Sequence, residues 1–149
     1  MATTQRTMDA TPEQIWAVLA DGWSYARWVV GTSAVREVDD GFPAPERALH
    51  YRVGRWPLRQ EDRTISVTCE PLERLVLRAQ AWPFGAAAIT ITLRARGSRT
   101  EVTLDEELSE GPVLLLHNPL TDALVHLRNI ETLRRLEGVV RRRTPVVPQ

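Results

Sequence analysis

The chain has 149 residues, 43% of them hydrophobic and 26% charged, which suits one globular domain able to bury a core without disulfides or a structural metal. Its 19 basic and 19 acidic residues balance to a formal charge of zero, so no net field draws it to nucleic acid or acidic membranes, and neither is expected as a partner. Every basic residue is arginine, and the lack of lysine excludes a Schiff-base lysine, a lysine anchor for pyridoxal phosphate and a phosphate-loop lysine.

The polar start Met1 to Thr7 is unlike a signal peptide, and no apolar run approaches the roughly 20 residues that span a bilayer. The single Cys69 forms no internal disulfide. A cytoplasmic protein without stable membrane insertion is expected.

Gln5 to Ala10 read as a short first strand. Thr11, Pro12 and Gln14 then supply an N-cap, an N1 proline and a capping-box glutamine, predicting a helix to about Ala20 with Ile15, Trp16, Val18 and Leu19 as its apolar stripe. Asp21-Gly22 breaks that helix, and Ser24 is placed to cap a second short one containing Tyr25, Ala26 and Trp28. Trp16, Trp23 and Trp28 are expected in the core.

From Ser33 the pattern turns to strands, interrupted at Asp39-Asp40-Gly41, Pro43-Ala44-Pro45, Gly54 and Pro57. Ala48 to Val53 and Leu58 to Cys69 are predicted strands; in the second, Ile65, Val67 and Cys69 alternate with Thr64, Ser66 and Thr68 and are expected to face the core. Glu73 to Ala81 presents Leu75, Leu77, Ala79 and Ala81 on one face, and Ala87 to Arg96 presents Ile89, Ile91 and Leu93. After the turn at Gly97-Ser98-Arg99 a last strand carries Val102 and Leu104, and Gly111-Pro112 ends the sheet. Consecutive strands without intervening helices predict an antiparallel meander.

Asn118 as N-cap, Pro119, Asp122 in the first turn and Arg141 to Arg143 in the last delimit a long helix from Pro119 to about Arg142. Leu120, Ala123, Leu124, Leu127 and Ile130 share one face, and Val125, Leu133, Leu136 and Val140 form a second, so contact on two sides is expected. Residues 144–149, with Pro145 and Pro148, read as a flexible tail behind a single domain of residues 1–143. The whole is an α+β domain, with a curved sheet around the long helix and a space near its open end where a ligand would sit.

The stretch Ala10-Thr11-Pro12-Glu13-Gln14-Ile15-Trp16-Ala17-Val18-Leu19-Ala20-Asp21, followed by Trp23, Tyr25, Trp28 and Val29, resembles the start of START-like (SRPBCC) proteins of the polyketide cyclase/dehydrase and lipid-transport group. Pro43-Ala44-Pro45, Gly54-Arg55-Trp56-Pro57, Glu70 to Leu77 and the closing Arg128-Asn129-Ile130-Glu131-Thr132-Leu133 look like that group's actinobacterial-type members. The resemblance, from about Thr7 to Arg142, implies the helix-grip fold: a seven-stranded antiparallel sheet curled around the C-terminal helix, two short helices after strand one, and an apolar cavity. Members bind lipids, sterols, polyketides or other hydrophobic molecules, and some catalyse cyclisation or dehydration. No shared catalytic motif carries over.

Glu106 has two positions open to it. If the register of Val102 and Leu104 continues, its carboxylate points toward the helix into a mainly apolar space, suited to general acid or base work on a bound carbonyl compound. If the strand ends near Asp105, Glu106 lies in solvent. Arg63, in register with Ile65, is expected to face inward with Glu61, either paired with a glutamate or holding a polar ligand head. Tyr51 alternates with Leu49 and Val53, placing its hydroxyl inside as a ligand donor or as a packing group. Glu106, Arg63 and Tyr51 are thus the catalytic candidates, and Trp56, Leu77, Trp82, Ile89, Ile91, Leu104, Leu124, Leu127 and Glu131 join them as candidate ligand contacts. Glu131 and Arg134 are expected to pair at the cavity mouth.

His50, His117 and His126 are too scattered for a metal motif, and no metal or other cofactor is expected. Cys69 reads as a small core residue, and no Gly-x-Ser-x-Gly elbow or glycine-rich phosphate loop occurs. Three functions remain: a carrier or sensor of a small hydrophobic molecule, a cyclase or dehydratase acting on a poly-carbonyl substrate, and an interaction domain. The last would use the strand arginines Arg74, Arg78, Arg94 and Arg96 or the closing helix, with a homodimer as one form.

Overall fold

The computed structural model describes residues 2–53, 60–81, 85–110 and 119–143. In chain order they form β1 (Ala2–Met8), α1 (Pro12–Leu19), a single 3-10 turn (Gly22–Ser24), α2 (Tyr25–Trp28), β2 (Thr32–Val38), β3 (Ala48–Val53), β4 (Gln60–Glu70), β5 (Arg74–Ala81), β6 (Gly85–Arg96), β7 (Arg99–Glu110) and α3 (Pro119–Arg143). The strands make one seven-stranded antiparallel sheet in the order β1-β7-β6-β5-β4-β3-β2. The meander runs from β2 to β7, and β7 brings the chain back to pair along β1. This is the helix-grip architecture. No helix among the described residues is long and apolar enough to cross a membrane.

Local signals account for the opening elements. The capping box of α1 is formed: the Gln14 N–H donates to Thr11 Oγ1 at 3.2 Å and the Thr11 N–H to Gln14 Oε1 at 2.8 Å. The first strand lies earlier than expected, ending at Met8. Ser24 makes no side-chain cap; its hydroxyl bonds the carbonyls of Val18 and Asp21 and accepts from Trp28 Nε1 at 3.1 Å. Asp21 caps the 3-10 turn, accepting from the Trp23 N–H at 3.1 Å, and also pairs with Arg143 in the last turn of α3. At Gly22 any Cβ would meet Val38 Cγ1 at 2.9 Å, so only glycine lets this turn sit against β2.

The core joins Ile15, Val18, Leu19, Tyr25 and Trp28 to Met8, Leu75, Ile91, Val102, Leu104, Leu133, Leu136, Val139 and Val140. Each large aliphatic side chain fully buried here contributes roughly 1.5–3 kcal/mol. Tyr25 packs against Trp28 with ring centroids 4.5 Å apart and planes tilted by 55°, and donates to the Leu19 carbonyl at 2.8 Å, its phenol pushed far above the usual range by burial.

Three expectations are corrected. Trp23 is 57% exposed, because the 3-10 turn directs it outward. Among the described residues helix α3 is buried along one face: Leu133, Leu136, Val139 and Val140 are buried, whereas Leu124, Leu127 and Ile130 are 59%, 62% and 41% exposed. The face of β4 is inverted, with Thr64 and Ser66 buried and Val67 exposed. The hydroxyls that alternation assigned to solvent find partners inside, Ser66 donating to the Pro43 carbonyl at 2.6 Å and Thr64 to Tyr51 Oη at 3.2 Å. A bulge between Ser66 and Thr68 then shifts the register, so Cys69 still packs partly buried against the core.

Candidate functional site

Small side chains leave a space under the sheet. In one row Glu106 lies opposite Ile89, and Ile89 opposite Leu77; in the next, Ala87 lies opposite Ala79, Ala79 opposite Thr64, and Thr64 opposite Leu49. Where the first row carries long side chains, Ala87, Ala79 and Thr64 in the second are short and leave room between sheet and helix. The result is a cavity of about 410 Å³ between sheet and helix, walled by Leu49, Tyr51, Leu77, Ile89, Ile91 and Leu104 and closed by Val29 to Thr32 and by Val125, Arg128, Asn129 and Thr132. The Val30 N–H donates to Thr132 Oγ1 at 3.3 Å, tying the α2–β2 connection to the helix.

The polar groups of this cavity cluster on two walls. On the helix side, Glu106 is 6% exposed; β7 runs on past Asp105, so the register of Val102 and Leu104 carries the carboxylate inward. Arg128 Nη2 donates to both of its oxygens, and Asn129 Nδ2 donates to Oε2 at 3.0 Å. Arg128 is itself 42% exposed, so its guanidinium bridges cavity and solvent. On the opposite wall, Tyr51 Oη donates to the Gln80 carbonyl and accepts from Thr64, both at 3.2 Å. Burial pushes the Tyr51 phenol up, the bond from Thr64 opposing it, so this hydroxyl is a hydrogen-bonding group and a weak acid at neutral pH.

Of the residues singled out from sequence, Tyr51, Leu77, Ile89, Ile91, Leu104 and Glu106 line the cavity together. Arg63 does not. Because Thr64 faces inward, Arg63 points to the outer sheet face, donating through Nε to Gln80 Oε1 at 3.2 Å beside Arg36, His50 and Asp62. Leu124 and Leu127 lie on the exposed face of α3, away from the cavity. Glu131 is on that side too, bound at 2.7 Å by Arg134 and at 2.9 Å by Arg135, and it makes a surface cluster instead of a mouth. Trp56 and Trp82 lie outside the described residues, as does the side chain of Glu61.

Arg128, Asn129 and Thr132 are the residues that periodicity passed over. A signal existed: at helical spacing they fall with Val125 on the face that continues into Leu133, Leu136 and Val139. A buried Asn129 on such a face needs a partner, and Glu106 is that partner. The inward face of α3 thus divides into a polar half toward its start, over the cavity, and an apolar half toward its end, over the core. Among the described residues no three His, Cys, Asp or Glu side chains gather to hold a metal ion.

Residues 1–141 match the model of the family described as polyketide cyclase / dehydrase and lipid transport. The chain belongs to this family. None of the curated proteins matches the sequence. Among solved structures, a protein of Chromobacterium violaceum superposes with a TM-score of 0.67 at 18% identity, covering 92% of this chain and 94% of its own. The Zhui aromatase/cyclase of a Streptomyces species gives 0.70 at 16% identity, covering 95% and 93%, and a protein of Nitrosomonas europaea gives 0.71 at 17%, covering 95% and 94%. At these identities the likeness is one of fold. Family and fold together support a hydrophobic-ligand-binding scaffold.

Proposed function

We propose that this protein binds one small, largely apolar molecule between the sheet and α3, as a carrier or sensor. The observation that carries this is the cavity of about 410 Å³, walled by aliphatic and aromatic side chains with few polar groups. Apolar burial at about 25 cal/mol per Å² drives binding there, and one or two polar groups orient the ligand. The test is mass spectrometry of small molecules released on denaturing the freshly purified protein, read beside native mass spectra of the intact chain. A stoichiometric hydrophobic adduct is expected. An empty protein whose melting temperature is unmoved by lipids, sterols and aromatic polyketides would refute the carrier reading.

A second reading, a cyclase or dehydratase acting on a poly-carbonyl substrate, is favoured by the Glu106–Arg128 pair inside the cavity and by the aromatase/cyclase among the structural neighbours. Glu106 would move a proton and Arg128 would stabilise a developing enolate. With Arg63 on the outer face, the three candidates from sequence reduce to Glu106 and Tyr51. Turnover lost in Glu106→Gln with binding kept would support the enzyme; binding without turnover in the unaltered protein would leave the carrier.

A further inference from the structure

We infer that the Glu106–Arg128 pair makes this cavity select ligands whose head group is a neutral oxygen and exclude carboxylates. This rests on the ligand-binding reading above and deepens it.

Glu106 and Arg128 are the two charged side chains among the described residues lining the cavity, and their charges cancel. Glu106 is buried and already accepts from Arg128 and Asn129. An ionised ligand head would leave one unbalanced charge in a space lined mainly by hydrocarbon. A carboxylate would also have to compete with Glu106 for the same guanidinium, bringing two like charges together. A neutral oxygen meets neither obstacle.

It also meets available donors. Among the described residues every hydrogen bond of Arg128 runs from Nη2, to Glu106 and, at 3.5 Å, to Asn129 Oδ1. To those residues its Nε and Nη1 hydrogens make none, and the side chain lines the cavity. A ketone or phenol oxygen can accept from that edge of the guanidinium while the pair stays intact. The opposite wall offers the hydroxyls of Tyr51 and Thr64, which are uncharged and make no ionic demand.

The test is calorimetric titration of the full chain at about pH 7 with 2-acetylnaphthalene, 2-naphthol and 2-naphthoate, a matched set of which only the acid is ionised at that pH. The unaltered protein is expected to bind the two neutral compounds on the order of tenfold or more tighter than the acid. In Glu106→Gln the cavity holds an unbalanced Arg128, and 2-naphthoate is expected to become the preferred ligand. Arg128→Gln, which leaves Glu106 alone, should bind the acid no better than the unaltered protein does.

Binding of 2-naphthoate to the unaltered protein as tight as that of 2-naphthol would overturn the head-group inference and leave the cavity reading standing. Failure of all three compounds to bind would count against both. A preference for neutral ligands that persists in Glu106→Gln would overturn the role given to the pair. Should that variant not fold, the ligand series on the unaltered protein and on Arg128→Gln still decides.

Discussion

Glu106 on β7 and Arg128 on α3 stand 22 residues apart in the chain and meet at the cavity, one guanidinium nitrogen donating to both carboxylate oxygens. The pair joins the sheet to the helix at the place where the core gives way to open space.

Removing Arg128 should therefore cost stability as well as ligand selectivity. Arg128→Ala leaves the buried Glu106 with Asn129, and is expected to destabilise the fold by about 1–3 kcal/mol, below the cost for a fully buried pair because the guanidinium is half in water. In a double-mutant cycle with Glu106→Gln, the doubly altered protein should lose less than the sum of the single losses, by about 1 kcal/mol. Chemical denaturation measures this, and strict additivity would show the two residues to be uncoupled.

Ala79 and Ala87 should act as volume gates. Leucine at either position extends into the cavity and not into packed core, so Ala79→Leu and Ala87→Leu are expected to change stability by less than about 1 kcal/mol. Binding of 2-naphthol should fall on the order of tenfold or more as its space is filled. A leucine variant that binds undiminished would place the ligand elsewhere.

The two faces of α3 should respond unequally. Leu133→Ala and Leu136→Ala each open a hole beneath the helix and should cost about 2–5 kcal/mol. Leu124→Ser and Leu127→Ser remove side chains that are more than half exposed, and are expected to stay within about 0.5 kcal/mol of the unaltered protein. A large loss at Leu127 in melting experiments would mean that this face is covered in solution.

Acid should weaken one surface cluster in a defined window. Hydrogen bonds from Arg134 and Arg135 hold the Glu131 carboxyl down to about 2, below its value in the unfolded chain. A lowered carboxyl contributes stability that is present above the unfolded value, about 4.3, and is lost as pH falls toward the folded one. The stability difference between the unaltered protein and Glu131→Gln should accordingly narrow between about pH 5 and about pH 2, and shrink with added salt at neutral pH. A difference that is constant across that range would show the cluster to be inert.

The elements were legible where the physics is local. Thr11, Pro12 and Gln14 announce α1 through hydrogen bonds made within one turn, and the alternation of Leu75 with Leu77 and of Ile89 with Ile91 marks the strands on which the cavity is built. Tyr51 was legible for the same reason, continuing an alternation whose inner members are apolar, whereas Glu106 stayed open between cavity and solvent until β7 was seen to run past Asp105. Arg63 was misplaced because β4 alternates between two plausible faces, and hydroxyl partners on Tyr51 and Pro43 made the polar one the inner.

The amino-acid sequence by itself determined the strand and helix order, the antiparallel meander and the membership of a ligand-binding family, since caps, turns and periodicity act between near neighbours. Only the tertiary structure decided which side of α3 is covered, where the bulge at Val67 turns β4, and that Arg128 reaches Glu106. Periodicity groups residues onto a face, but which face meets the core depends on packing and on finding a partner for every buried polar group, and those partners lie far along the chain.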